Sequence, residues 1–178
     1  MRHHIPSIPL FFSLALGFFA GCPGGGTGTP DAAPPDGPAI TGIVELGTGT
    51  TQFQSLVDEQ ELTLIAGPQG GYHFIVHART QEIEPGDWER PSAEGNPITL
   101  FSAFDEDENQ VDLMLPPYAL GFRDLGDDWW YLPSGRFLRV ENDLAPLLIG
   151  TRLRIEVFIE DADGAIARDQ RWVTVVAE

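Results

Sequence analysis

Only a few residues in this chain have the type and spacing to do chemistry. After the first turn of sequence the only imidazoles are His73 and His77, four residues apart in Tyr72-His73-Phe74-Ile75-Val76-His77-Ala78-Arg79. On an extended strand they lie about 13 Å apart at ~3.3 Å per residue, too far to share one metal ion. Either could ligate a mononuclear metal only with partners from other strands. Asp105, Asp107, Asn109 and Asp112 form an oxygen-rich run, and Asp161 with Asp163-Gly164 a shorter one. Tight calcium coordination needs six to eight oxygens, a glycine bend and a bidentate glutamate. Here Gln110 stands where the glycine belongs and no such glutamate follows, so an acidic hairpin tip is the simpler account. Asp105 and Asp107 remain the candidate ligands of that tip, beside His73 and His77. Trp129-Trp130-Tyr131, with Trp88, supplies large ring faces on which sugars could stack. On a strand, neighbouring residues face opposite ways, so one of the adjacent tryptophans is expected in the core.

No G-x-S-x-G or H-E-x-x-H occurs, and the single cysteine, Cys22, lies far from either histidine in sequence. Nucleophilic catalysis needs such a nucleophile with a base at hand, so no catalytic residue is assigned and enzymatic function is not expected. No cofactor is implied. The formal charge is -17, from 27 acidic residues against ten arginines and no lysine. So acidic a surface repels nucleic acid and anionic membrane surfaces, which leaves an envelope protein or a glycan as the kind of partner expected.

The elements that must position these residues read as strands. Tyr72, Phe74, Val76 and Ala78 share one face by the period of two, and His73, Ile75, His77 and Arg79 share the other. The first set is expected in the core and the histidines at or near the surface. Arg152 to Ile159 repeats the pattern with Leu153, Ile155, Val157 and Ile159, and Trp172 to Val176 is a further β-rich run. Asp105 to Gln110 and Asp161 to Gly164 suit hairpin turns. Glu82 to Asn96 reads as a long loop. Gly70 or Gly71 suits a turn that needs positive φ. A short helical turn is expected near Glu141 to Leu148, capped by Asn142 or Asp143. Several short strands at regular spacing predict an all-β fold, an antiparallel β-sandwich over 40–178.

Ahead of this domain the chain changes character twice. Arg2 precedes a run from Ile8 to Phe19 that is almost wholly apolar. About twelve residues are too few to cross a bilayer core as a helix, which needs ~20. A basic start, a short apolar run and small residues after it read as a secretory signal peptide over 1–21. Then 22–39, running through PGGGTGTPDAAPPDGPA, holds too little apolar area to offset chain ordering at ~1–2 kcal/mol per residue and reads as a disordered linker.

Two resemblances follow from these residues. Phe19-Ala20-Gly21-Cys22 resembles the lipobox of bacterial lipoproteins, with phenylalanine where that pattern usually has leucine. The resemblance implies a diacylglycerol thioether (and often a palmitate-type third chain) on Cys22 and cleavage before it. Each buried methylene contributes ~0.8 kcal/mol, so two or three chains hold stably where one holds marginally. Pro23 after the cysteine, by the same resemblance, implies delivery to the outer membrane. Gly67-Pro68-Gln69-Gly70-Gly71-Tyr72-His73 resembles a segment of uncharacterised bacterial lipoproteins, without implying a role. The closing stretch GTRLRIEVFIEDADGAIARDQRWVTVV looks like the final hairpin of bacterial immunoglobulin-like domains, which implies an immunoglobulin-like β-sandwich without its disulfide.

Overall fold

The computed structural model describes residues 39–178 apart from Gln69. The expectations for the signal peptide 1–21, for Cys22 and for the linker up to Pro38 lie outside the described residues.

The domain is all-β. Alternation of apolar and polar residues produces β1 (Ile43–Thr48), β3 (Gln60–Ala66), β4 (Tyr72–Gln81), β5 (Ile98–Phe104), β9 (Arg136–Val140), β10 (Arg152–Glu160) and β11 (Ile166–Ala177). Four two-residue strands complete the set: β2 (Gln54–Ser55), β6 (Tyr118–Ala119), β7 (Arg123–Asp124) and β8 (Trp130–Tyr131). One helical turn, α1 (Ala145–Leu148), lies between β9 and β10. Among the described residues no helix is long and apolar enough to cross a membrane.

The strands join into one curled mixed sheet in the order β2-β1-β4-β3-β11-β10-β5-β6, with β8 and β9 also pairing β4 and β7 pairing β8. It is not purely antiparallel. β3 runs parallel to β11, with Val173 opposite Gln60 and Ala177 opposite Leu64. β4 is ten residues long and shares one edge between two partners. Its C-terminal half takes β1, and Tyr72 and His73 take Ala66 and Ile65 of β3. β1 and β3 both run antiparallel to β4, and the outer edge of β3 takes β11 in parallel. The segment after β5 helps curl the sheet: Gln110 bridges Phe104, and Asp112 bridges Val140 of β9.

The inward residues are those the alternation selects. Leu153, Ile155, Val157 and Ile159 of β10 pack with Val173 and Val175 of β11 and with Phe74, Val76 and Ala78 of β4. Tyr72 is half-buried against this cluster. Apolar burial at roughly 25 cal/mol per Å² of this kind is the main term holding the domain together. The loop between β4 and β5 holds its shape through Asn96, whose side chain accepts the Asp87 N–H (2.7 Å) and donates to the Arg90 carbonyl (3.0 Å). α1 forms where a helical turn was expected, but neither Asn142 nor Asp143 caps it. Its N-cap is Leu144, with no side-chain cap, and the Glu141 carbonyl accepts the Leu144 and Ala145 N–H groups. A proline in the first turn removes one donor that a cap would otherwise serve.

Candidate functional site

The acidic tips are built as turns. At the β5 end, Asp105 accepts the N–H of Asp107 (2.9 Å) and of Asn109 (2.8 Å) and both its oxygens take the Asn109 amide. These hydrogen bonds, the Asn109 amide first, hold its carboxyl below the usual range. Glu108 pairs with Arg154 and Glu106 with Arg152, both on β10. In the β10–β11 turn, Asp161 accepts three backbone N–H groups, from Glu84 (2.8 Å), Asp163 (3.0 Å) and Ala165 (2.8 Å). Gly164 takes positive φ there, as the hairpin needs. Asp112, read in the sequence as part of the exposed tip, is only 9 % exposed. It accepts the Ala103 N–H (2.8 Å) and the Gln110 amide (3.1 Å), and burial pushes its carboxyl above the ordinary value. Among the described residues no three His, Cys, Asp or Glu side chains stand close enough to hold a metal ion. The structure thus does not bring His73, His77, Asp105 and Asp107 together.

The two histidines part company. His73 is half-exposed and stacks on Phe137 with ring centroids 4.4 Å apart. His77 was expected at the surface and is instead 1 % exposed. Phe53 accounts for the difference. It sits between β1 and β2 and lies edge-on to the His77 ring at 5.6 Å, so both faces of β4 are covered at this position. Alternation along one strand carries no information about a loop that folds over its polar face. Desolvation lowers the pKa of both imidazoles, His73 and His77, and so favours the neutral ring.

The tryptophans differ in their surroundings. Trp130 packs partly against the core. Trp129 stacks on the guanidinium of Arg79 at 4.3 Å, and Trp88, 39 % exposed, stacks on Arg123 at 4.8 Å. Trp129 and Trp88 therefore each already carry a cation on a ring face. Arg79 is the centre of a cluster that alternation alone did not reveal. It is ion-paired to Glu45 and donates to the Tyr131 hydroxyl (3.1 Å), and Phe53 lies 4.9 Å from it. Burial opposes its charge, but Tyr131 and Glu45 outweigh that and hold its pKa above the ordinary value.

A groove beside β9 was missed in the sequence. It has a volume of about 420 Å³ and runs beside β9, walled by Ile75, Leu115, Tyr118 and Phe137, with Thr50 and Ser134 at its polar edge. Both of its charged residues, Arg136 and Arg139, are cations, and no carboxylate lines it. Arg136 also borders a small interior cavity, with Val76, Phe101, Leu138 and the buried Asp112. Its Nε is buried and has no hydrogen-bond partner among the described residues. The guanidinium lies over the Tyr118 ring at 5.5 Å, and burial pushes the pKa of Arg136 down. An unmet buried donor costs about 1–3 kcal/mol, more when charged. In sequence the only trace of the site is an arginine at an inward position of β9, in phase with Leu138 and Val140.

No family model, no curated protein and no solved structure matches the chain.

Proposed function

We propose that the chain is a lipid-anchored envelope protein whose domain, 40–178, is an immunoglobulin-like module that binds rather than catalyses. The observation that carries this reading is Phe19-Ala20-Gly21-Cys22, at the junction between an apolar leader and a Gly/Pro linker. Two or three acyl chains on Cys22 would hold the domain stably at a bilayer, and Pro23 favours the outer membrane. The linker then stands the domain off from the lipid surface.

The immunoglobulin-like reading draws support from how the strands group. β1, β4 and β9 pair side by side, and β11, β10, β5 and β6 form a second run, with β3 crossing from β4 to β11. Two such groups facing one core are what an immunoglobulin-like sandwich contains. Binding in place of catalysis is favoured by how the titratable groups are used. Asp105 and Asp161 close turns, and His77 is walled in by Phe53.

The test is Cys22→Ser in the full chain, expressed in a bacterium with an outer membrane and followed by fractionation. The variant should accumulate with its leader attached or leave the membrane fraction. Normal processing together with continued membrane retention would refute the anchor.

A further inference from the structure

The groove beside β9 differs electrostatically from the rest of this domain. The chain carries 27 acidic residues and ten basic ones, all arginine. Arg79, Arg90, Arg152, Arg154 and Arg171 each pair with a carboxylate. Arg123, Arg136, Arg139 and Arg168 have no such partner among the described residues. Arg123 and Arg168 lie over Trp88 and Phe158 on other parts of the surface. The other two, Arg136 and Arg139, line one groove together, and no carboxylate shares it. Asp112, which lines the interior cavity that Arg136 also borders, makes no ion pair with it, and among the described residues the groove itself holds no carboxylate. The Arg136 side chain is half-buried with its Nε unpartnered among the described residues, and an oxyanion in the groove would offset the charge it carries there.

We propose that this groove is an oxyanion-binding site, taking a small ligand whose carboxylate or phosphate meets Arg136 and Arg139 and whose apolar body lies against Ile75, Leu115 and Phe137. Guanidinium suits the head group because its planar fork matches two oxygens of one anion. The walls suit the body because they are aliphatic and aromatic, with Tyr118 closing the end beside Arg136. A volume of about 420 Å³ admits a ligand of modest size, within the usual range for small-molecule sites. The inference deepens the binding-module reading at one site and does not depend on Cys22.

The experiment is calorimetric titration of the full chain in detergent micelles with 4-phenylbutyrate, with its neutral amide and with inorganic phosphate. The acid should bind about tenfold or more tightly than the amide, and its affinity should fall with added salt. Phosphate should bind more weakly than 4-phenylbutyrate and compete with it. Arg136→Gln should abolish the preference for acid over amide, and Arg139→Gln should reduce it. Arg168→Gln, outside the groove, should leave it unchanged. Arg136→Lys guards against misfolding: it keeps the charge and loses the fork, so part of the preference should survive. Equal binding of acid and amide, binding of none of the three, or an intact preference in Arg136→Gln would each overturn the proposal. Phosphate binding at least as tight as that of 4-phenylbutyrate would overturn the part assigned to the apolar walls. Because the anchor is read by fractionation and the groove by titration, failure of one is separable from failure of the other.

Discussion

Asp112 offers the sharpest test of how this domain handles a buried charge. Its carboxylate is 9 % exposed, faces no cation within ion-pair distance among the described residues, and accepts the Ala103 N–H and the Gln110 amide. Asp112→Ala leaves the Ala103 N–H without its acceptor in a buried place. The expected cost is about 1–3 kcal/mol, the usual penalty for an unmet buried polar group. Asp112→Asn keeps an oxygen in the same position and removes the desolvated charge, so at pH 7 it should match or exceed the wild type. The pH dependence separates the two effects. Burial, the largest influence, raises the folded pKa above the ordinary 3.8, so the folded state binds a proton at a higher pH than the unfolded state. That linkage favours the fold fully below about pH 3.8 and is lost as the pH rises through the folded value. Asp112→Asn lacks it. The advantage of the asparagine variant over wild type, measured by urea unfolding, should therefore be largest at pH 7 and shrink toward pH 4. Comparing the two proteins at each pH cancels the groups they share. An advantage that grows on acidification would mean that the Asp112 carboxyl is stabilised as an anion, and the argument from desolvation would be refuted.

Other consequences are checked by the same unfolding assay. His77→Ala should cost about 2–4 kcal/mol, because the ring is as enclosed as Phe74, whose truncation should cost about 3–5 kcal/mol. A cost below ~1 kcal/mol at His77 would place the ring at the surface after all. The wild type should also lose stability as pH falls from about 6.5 through the lowered folded pKa of His77, because the unfolded chain takes up that proton first, and this loss should be smaller in His77→Phe, which keeps only the contribution of His73. Gly121→Ala should destabilise by about 1–3 kcal/mol, since a Cβ there would overlap the backbone of Asp87 and Trp88 where the long loop crosses the strand region. An unchanged denaturation midpoint in that variant would mean that the loop does not press on Gly121.

The sequence alone determined those features that depend on neighbours a few residues away. The alternation in β10 placed Leu153, Ile155, Val157 and Ile159 inward, because side chains on a strand alternate whatever lies beyond them. The turn at Asp161 to Gly164 was legible for a similar reason: a carboxylate that caps its own backbone and a glycine at positive φ act within five residues. The helical turn near Leu148 was also visible, though its missing cap was not. Tertiary structure decided whatever depends on segments distant in the chain. His77 is buried because Phe53 folds over it, and Asp112 because the segment it belongs to bridges both β5 and β9. The parallel pairing of β3 with β11 joins residues more than one hundred positions apart, and no local period encodes that choice. The same holds for Arg136. Its place on β9 could be read from the alternation, but its lack of an ion-pair partner among the described residues exists only once the sheet has curled and the other strands have taken their neighbours.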